Sequence, residues 1–243
     1  MNLIIDVGNT LVKLAVFSKG KLKEKQTVTM DGFLNSINGI KKEYPTIKKA
    51  IVSSVGKLSK EDLKYLNTQF VLIQLNSKTK LPFKNLYQTP KTLGVDRIAL
   101  VCASVEQFSN KNVLIIDAGT CITYDFVSFK NEYLGGAISP GIDVRYKSLN
   151  NLTANLPLLE IEMPNTIIGA STKSSIHSGV IYGVLKEIDG VIDEYTLKYP
   201  DLTVILTGGN ANFLSKQLKS SIFANSNFLL EGLNYILQFN LKE

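Results

Sequence analysis

A short motif occurs twice in this chain of 243 residues, once at its start and once near its middle. The first copy reads LIIDVGNT over residues 3–10, and the second reads LIIDAGT over residues 114–120. In each copy an apolar, β-prone run ends in Asp, a small residue and Gly, and a second strand-like segment follows it. The repetition therefore predicts two related halves, each of which begins with a β-hairpin.

The pattern that follows each hairpin is also similar in the two halves. A third strand-like segment comes next, near residues 21–29 in the first half and 131–138 in the second, and helical and strand-like segments then alternate. We place the boundary near Asn110, so that residues 1–109 and 110–243 form the two halves. This order predicts a duplicated ribonuclease-H-like α/β fold, with two similar halves packed around a cleft.

The composition restricts the chemistry that such a fold can perform. Hydrophobic residues make up 44% of the chain and charged residues 20%, which is typical of a folded protein with a substantial core. Two cysteines and one histidine leave little for a disulfide framework, a zinc site or a nucleophile–histidine–acid triad. The chemistry then rests on carboxylates, lysines, hydroxyls and backbone groups, which favours phosphoryl transfer.

The sequence has no pattern typical of a secreted or membrane protein. Its longest apolar runs, such as residues 113–116, fall far short of the roughly 18 residues that a membrane span needs, and Asp6 interrupts the N-terminal run. With so few cysteines, a reducing compartment is the simplest setting. We expect a cytoplasmic protein with no signal peptide, no transmembrane helix and no membrane partner.

The positive charge is the one compositional feature that raises the question of a nucleic-acid partner. The net charge is +6, and the excess of lysine is scattered over surface-like positions of the first half without interleaved aromatic residues. This pattern favours a solvated lysine-rich surface over a nucleic-acid-binding face. We therefore expect no nucleic-acid partner.

The end of the first motif has the residue types of a phosphate-binding loop. Gly8 lets backbone N–H groups approach an anion, and Asn9, Thr10 and Lys13 supply further donors. Asp6 would hold Mg²⁺ directly or through water, because Mg²⁺ prefers one or two carboxylates together with phosphate oxygens. An ordinary hairpin turn with a capping Asp is the alternative. The repetition favours function, since two such loops form a nucleotide clamp, and neither a Walker P-loop nor a Gly-x-Gly-x-x-Gly turn is present.

A second candidate site is the segment Gly94-Val95-Asp96-Arg97, which stands just before a helical pattern. An Asp at a loop–helix junction can orient and deprotonate an acceptor hydroxyl, and an Arg can hold a carboxylate or phosphate with paired donors. The alternative is an Asp that stabilises the helix dipole, with a structural salt bridge to Arg97. The residues alone leave both interpretations open.

Two further glycine-rich segments, residues 135–141 and 207–210, each join a strand to a helix. Each segment has two interpretations, which are close approach of the backbone to a ligand or partner, and tight turn or helix-entry chemistry. His177 lies in a helical pattern, where a lone histidine is more often packed or solvated than catalytic. Cys102 is predicted to be a core residue and Cys121 a small strand residue.

In combination, these segments resemble the type III pantothenate kinase family. The resemblance rests on five motifs in order along nearly the whole chain. They are Asp6–Thr10 with Lys13, then Gly94–Arg97, then Asp117–Thr120 with Asp125, then Gly135–Gly141, then Thr207–Gly209. It implies a fold of the acetate and sugar kinase/Hsp70/actin superfamily, a homodimer, and phosphorylation of pantothenate by ATP, the first step toward coenzyme A.

The resemblance also implies roles for individual residues. The expected ATP-binding residues are Asp6, Val7, Gly8, Asn9, Thr10, Leu11, Val12, Lys13 and Thr120. The expected pantothenate-binding residues are Tyr87, Gly94, Val95, Asp96, Arg97 and Thr172. Asp96 is the expected general base, Asp6 the Mg²⁺ residue, and Asp117 the ligand of a monovalent cation, K⁺ or NH₄⁺. Thr172 is expected near the dimer interface.

The sequence departs from the family pattern at three places. Thr89 stands where the family usually has Asn, Cys121 where Ala is common, and Ser175-Ile176-His177-Ser178-Gly179 where Ala-Ile-Gln-x-Gly is common. No charged catalytic group is lost. Two alternative functions stay open at this point: another small-molecule kinase of the same superfamily, and a non-catalytic regulatory relative that binds nucleic acid.

Overall fold

The fold is known from a computed structural model that describes residues 1–8, 11–54 and 58–241. Its strands are β1 (Asn2–Val7), β2 (Val12–Ser18), β3 (Lys21–Val28), β4 (Lys49–Ser54), β5 (Val71–Gln74), β6 (Lys84–Asn85), β7 (Val113–Ala118), β8 (Cys121–Val127), β9 (Glu132–Pro140), β10 (Thr203–Thr207) and β11 (Phe223–Ala224). Its helices are α1 (Phe33–Glu43), α2 (Lys60–Gln69), α3 (Val95–Gln107), α4 (Ile142–Leu152), α5 (Thr172–Lys198), α6 (Ala211–Leu214) and α7 (Phe228–Asn240). Two 3₁₀ turns, Met30–Gly32 and Pro90–Thr92, complete the regular structure of the described residues.

The first sheet has the strand order β3-β2-β1-β4-β5. Strands β1, β2 and β3 are antiparallel neighbours, whereas β4 pairs with β1, and β5 with β4, in parallel. The central strand β1 is buried on both faces from Leu3 to Val7, which explains its continuous apolar run. Its apolar residues pack with those of β2, β4, α1 and α2 in one core.

The second sheet has the strand order β11-β10-β7-β8-β9-β6, and its first five strands are the counterparts of β5-β4-β1-β2-β3 in the first sheet. Strand β7 is antiparallel to β8 and parallel to β10, so it is the counterpart of β1. Its core is built from β7, β8 and β10 with helices α4, α5 and α6. The two-residue strand β6 pairs in parallel with Glu132 and Tyr133, the first residues of β9. The duplicated ribonuclease-H-like fold expected from the sequence is thereby confirmed.

The chain forms two compact units, and their bounds differ in two places from a simple division at 109/110. The first unit comprises residues 1–109, 131–133 and 227–243, and the second comprises 110–130 and 134–226. Helix α7 belongs to the first unit because it packs on α3. A Cβ at Gly232 would lie 1.9 Å from the carbonyl oxygen of Ala99, so only glycine permits this approach. The assignment of 1–109 and 110–243 to two halves stays a prediction.

Most of the predicted elements lie within a few residues of the observed ones. The helix predicted after Gly208-Gly209 is only one turn, Ala211–Leu214. The helical pattern that follows Gly94–Arg97 forms α3, which is buried at every residue from Arg97 to Val105 rather than along one stripe. The short strands β6 and β11 were not predicted, because two residues are too few to carry a period. No helix in the described part of the chain is both long and apolar enough to cross a membrane.

Candidate active site

The first candidate loop lies at the end of β1, where Asp6 is the penultimate residue of the strand. In the sheet register Asp6 lies opposite Lys13 on β2, and Lys13 Nζ is 3.6 Å from Asp6 Oδ2. The N–H of Gly8 donates to the carbonyl of Leu11 at 3.0 Å, which closes the hairpin. Val7 and Val12 are buried beneath it. Two predicted ATP-binding residues, Asn9 and Thr10, lie outside the described residues.

The electrostatics of Asp6 reflect its burial. Only 7% of the residue is exposed, and this burial raises the pKa of its carboxyl above the ordinary value. The ammonium of Lys13 lowers that pKa, while the charge of Asp96 raises it again. The charge of Asp96 thus acts on the carboxyl of Asp6 within the first unit, although the two residues are distant in the sequence. Such a pair, with a lysine beside it, fits the donor set of Mg²⁺ and phosphate oxygens.

The second candidate segment forms the N-terminus of α3. Gly94 is the N-cap residue, and a Cβ there would lie 2.3 Å from Asp96 Oδ1, so the glycine makes room for this carboxylate. Asp96 Oδ1 accepts a hydrogen bond of 2.8 Å from the backbone N–H of Arg97. That bond fixes the carboxylate in the first turn of the helix, beside Val95. An anchored carboxylate at a helix N-terminus is compatible with both interpretations that the sequence left open, a general base and a group that stabilises the helix dipole.

The guanidinium of Arg97 lies against two tyrosine rings. Its Cζ is 5.5 Å from the ring centroid of Tyr87 and 6.0 Å from that of Tyr133, which are distances of cation–π contact. The two rings are themselves 5.9 Å apart. The structure thus brings together Tyr87 and Arg97, two residues predicted to bind the same substrate. It adds Tyr133, a fully buried residue that no sequence motif had indicated.

The second loop is built like the first, with a different neighbour for its carboxylate. Asp117 is the penultimate residue of β7, and in the register it lies between Thr123 on β8 and Thr207 on β10. Residues in register project to the same face of a sheet. Both threonines are nearly buried, whereas Thr120 in the loop is exposed. Threonines thus flank Asp117 in the second sheet where a lysine faces Asp6 in the first, and the Thr123 hydroxyl donates to Asp125 Oδ2 at 3.1 Å.

Backbone contacts hold the second loop from two sides. The N–H of Gly141 donates to the carbonyl of Thr120, and the N–H of Asn210 donates to the carbonyl of Ala118, each at 3.0 Å. Gly208 has a φ of +96°, and a Cβ there would lie 2.4 Å from Asp117 Oδ1. Side chains other than glycine are strained at that φ and would collide with the carboxylate. The turn at Gly208, after β10, therefore lies directly against the carboxylate of Asp117.

The glycine-rich segment of β9 has a more local role. A Cβ at Gly136 would lie 1.5 Å from the carbonyl oxygen of Tyr124 on the neighbouring strand β8. At Gly141 a Cβ would lie 2.3 Å from the carbonyl oxygen of Gly119. These glycines let parts of the same chain approach closely, which supports the turn and packing interpretation of this segment.

The remaining candidates lie in or near helix α5. Thr172 is its exposed first residue, next to a groove lined by apolar residues of α4 and α5. His177 is buried, in agreement with the packed role expected for it, and its Nδ1 is 2.7 Å from the hydroxyl of Tyr146. Both cysteines are free, with Cys102 buried in α3 and Cys121 exposed at the start of β8. In residues 1–8, 11–54 and 58–241, no three His, Cys, Asp or Glu side chains cluster to hold a metal.

The sequence matches the family model of type III pantothenate kinase over residues 2–194. A type III pantothenate kinase of Christiangramia forsetii is 53% identical over 240 residues, which cover 99% of each chain. That of Flavobacterium johnsoniae is 46% identical over 241 residues, again 99% of each chain. The chain belongs to the type III pantothenate kinase family. It is therefore a kinase, and the reaction of its family is the ATP-dependent phosphorylation of pantothenate in coenzyme A biosynthesis.

Solved structures with the same fold are more distant in sequence. A conserved protein of Campylobacter jejuni assigned to the Baf family of transcriptional activators has a TM-score of 0.63 at 23% identity, with 98% of each chain covered. A ROK family glucokinase of Streptomyces griseus, solved with glucose and AMPPNP, has a TM-score of 0.53 at 9% identity, also with 98% of each chain covered. At these identities the likeness shows the fold alone, and it agrees with the fold of this pantothenate kinase family member.

Asp6→Asn is expected to stabilise the nucleotide-free and metal-free protein at neutral pH. Because burial raises the pKa of Asp6, its stabilising contribution is fully present below the pKa of an unfolded Asp, about 3.9, and is lost as the pH rises through the folded pKa. The ionised carboxylate thus costs stability at pH 7, and an isosteric amide removes that cost. We expect a higher Tm for the variant at pH 7, by about 2–4 °C for each kcal/mol relieved.

The matched control for this measurement is Asp31→Asn, which changes an exposed carboxylate of the same unit. Thermal unfolding is followed by circular dichroism at pH 7 and at pH 4. The gain of Asp6→Asn is expected to shrink at pH 4, and Asp31→Asn is expected to leave Tm nearly unchanged at both. A lower Tm for Asp6→Asn at pH 7 would contradict a net cost of the buried carboxylate.

Proposed function

We propose that this chain phosphorylates pantothenate with Asp96 as the general base, and that Asp6, Lys13 and the first loop bind the phosphates of ATP. The observation that carries the proposal is what the first unit holds together: the buried Asp6 with Lys13 Nζ at 3.6 Å, and the anchored carboxylate of Asp96, whose charge raises the pKa of Asp6. A buried carboxyl near a second negative charge is costly to ionise unless a cationic group comes between them. A nucleotide with its metal ion supplies such a group during turnover.

The first loop supports ATP binding through its lysine. Lys13 brings a compact, half-exposed ammonium to the end of the buried strand β1, where a phosphate finds a charged donor in contact with water. Asp6 is the residue that would hold Mg²⁺, because Mg²⁺ binds carboxylates together with phosphate oxygens. Its carboxylate lies 3.6 Å from Lys13 Nζ, and the charge of Asp96 raises its pKa. When bound, Mg²⁺ neutralises charge on the phosphates that are transferred.

Asp96 is supported as the base by how it is held. Its Oδ1 accepts the N–H of Arg97, which orients the carboxylate and leaves Oδ2 to accept the proton of an acceptor hydroxyl. Gly94 leaves the space next to this carboxylate open. Asp96 thus aligns the attacking hydroxyl and receives its proton, while the positioning of the phosphates supplies the rest of the rate.

Arg97 and Tyr87 are supported as the substrate-binding pair. The rings of Tyr87 and Tyr133 restrain the guanidinium, so that less side-chain entropy is lost when it binds an anion. Pantothenate carries a carboxylate, the group that a guanidinium binds with two parallel hydrogen bonds. Gly94 and Val95 complete this end of the site as the entry to α3.

The second loop supports the binding of a monovalent cation at Asp117. The register gives Asp6 a lysine neighbour on the facing strand and gives Asp117 two threonine neighbours. Carboxylate and hydroxyl oxygens suit K⁺, and NH₄⁺ can donate to the same oxygens. When bound, the cation adds positive charge near Thr120, which we assign to ATP.

We propose that the enzyme is a cytoplasmic homodimer. A groove of about 690 Å³ in the second unit is lined by Leu149, Leu156, Ile176 and Val180 of α4, α5 and the segment between them, with Thr172 at its edge. Apolar grooves of this kind mark interaction surfaces, and a second copy would place Thr172 at the interface. A monomeric mass in sedimentation equilibrium at micromolar concentration would contradict the dimer.

The function is tested by the release of ADP from Mg-ATP in the presence of pantothenate. We expect turnover that depends on pantothenate and is at least about tenfold faster in K⁺ than in Na⁺ at equal ionic strength. Asp117→Asn is expected to lose the difference between the two salts, because it removes the charge that holds the cation. A panel of sugars and small hydroxy acids serves as the acceptor control. Turnover with another acceptor and none with pantothenate would overturn the proposal.

Asp96→Asn tests the general base. The amide retains the acceptor for the Arg97 N–H but cannot take up a proton, so we expect kcat to fall by about 10²–10⁴ with the KM for ATP within about threefold. Asp143→Asn is the matched control, because Asp143 is an exposed acid in the first turn of another helix, α4. Equal turnover in Asp96→Asn and the parent protein would remove Asp96 from this role.

A further inference from the structure

A second pocket lies in the second unit, between the N-terminus of α5 and the segment that precedes it. Its volume is about 340 Å³, within the usual range for small-molecule sites. Polar lining groups come from Glu162, Ser171, Lys173, Ser174 and His177. None of these residues has a part in the proposed kinase reaction.

His177 is the buried polar group of this pocket. The residue is only 4% exposed, and among the described residues its Nε2 has no hydrogen-bond partner. A buried ring nitrogen without a partner costs free energy, and such atoms are rare in folded proteins. Because His177 lines the pocket, this unsatisfied nitrogen is available to a molecule bound there.

The other ring nitrogen of His177 is engaged by Tyr146. Its Nδ1 lies 2.7 Å from the phenol hydroxyl of Tyr146. With that O–H donating to Nδ1, the ring carries a proton on Nε2. Nε2 is then the nitrogen that can donate to a molecule in the pocket.

Two cationic or donating nitrogens converge on one point in the pocket. Glu162 Oε2 lies 2.9 Å from Lys173 Nζ and 3.6 Å from His177 Nε2. Lys173 and His177 are four residues apart on α5, so they project from the same face of the helix. The same helix end carries the partial positive charge of its dipole, with Ser171 as N-cap. A single oxyanion at this point is thus attracted by three features at once.

The carboxylate of Glu162 is only weakly held between Lys173 and His177. Its side chain is 61% exposed, it lies outside any helix or strand, and its distance to Nε2 is longer than a hydrogen bond. Lys173 lowers the pKa of Glu162, so the carboxylate is charged when it lies there. An exposed ion pair of this kind contributes little to stability, and a soluble anion can replace one of its members.

We propose that this pocket is an oxyanion-binding site in which the carboxylate of Glu162 is a removable occupant. A carboxylate or phosphate group of a small molecule displaces it, accepts a hydrogen bond from His177 Nε2 and forms an ion pair with Lys173. The pocket volume leaves room for the body of a small metabolite behind that group. This site is independent of the catalytic roles proposed for the first unit.

The test uses the fact that His177 is the single histidine of the chain. In protein labelled with ¹⁵N-histidine, a long-range ¹H–¹⁵N spectrum shows one imidazole and reports both its tautomer and its occupancy. The full-length protein is titrated at constant pH and ionic strength with inorganic phosphate and, separately, with acetate. We expect the Nε2–H tautomer without added anion and a saturable shift of Nε2 with at least one of the two.

Three variants locate the site. Glu162→Ala removes the occupant and is expected to tighten the binding of the anion by about tenfold. Lys173→Met removes the ion pair and is expected to weaken it by about tenfold or more, as loss of a charge-assisted hydrogen bond does. Lys186→Met, an exposed lysine of the same helix, is the matched control and is expected to change nothing.

The titrations also identify the chemistry of the ligand. Saturation by phosphate alone assigns a phosphoryl group, saturation by acetate alone assigns a carboxylate, and saturation by both assigns an oxyanion without further selection. The proposal is overturned if neither anion gives a saturable shift in Glu162→Ala. It is also overturned if Lys186→Met weakens binding as much as Lys173→Met does.

Discussion

The site depends on one constraint, which is the placement of a carboxylate at the end of a buried central strand. Asp6 is the penultimate residue of β1, with apolar neighbours that are fully buried, and burial raises the pKa of its carboxyl. Such a group is costly unless a cation is near it, and Lys13 at 3.6 Å offsets only part of the cost. A strand end that lacks one positive charge is suited to bind a ligand that brings it. The Asp6 carboxylate thus destabilises the protein without a bound cation and stabilises the protein with one.

The duplication lets the two strand ends be compared within one molecule. The loop of the first hairpin has four residues between Val7 and Val12, and that of the second has three between Ala118 and Ile122. The facing strand then brings Lys13 to Asp6 but Thr123 to Asp117. Similar strands therefore give the two carboxylates different neighbours, a lysine in one unit and threonines in the other. This difference is the reason for proposing different ligands, a phosphate at the first strand end and a monovalent cation at the second.

The repeat made the architecture predictable from the sequence, because two copies of one strand–Asp–small–Gly pattern restrict the number of possible sheets. The same was true of the hairpin positions of Asp6 and Asp117, since a strand end places its last side chains at a sheet edge. The contact of Arg97 with Tyr133 could not be predicted in this way. Tyr133 lies in no motif, and its position depends on the two-residue strand β6, which is too short to leave a periodic pattern. The close approach of Gly208 to Asp117 likewise requires the parallel pairing of β10 with β7.

The position of the proposed base depends on the far end of the chain. Helix α3 carries Asp96 and Arg97 in its first turn and is buried on every face over most of its length, so its position is set by what packs around it. One of those elements is α7, whose Gly232 permits the backbone to approach Ala99. A helix fixed by backbone contact cannot shift by a fraction of an ångström without a clash, since packed interiors leave few voids. The geometry of the first turn is therefore held by residues that never touch a substrate, and small residues such as Gly232 are as necessary to it as the carboxylate itself.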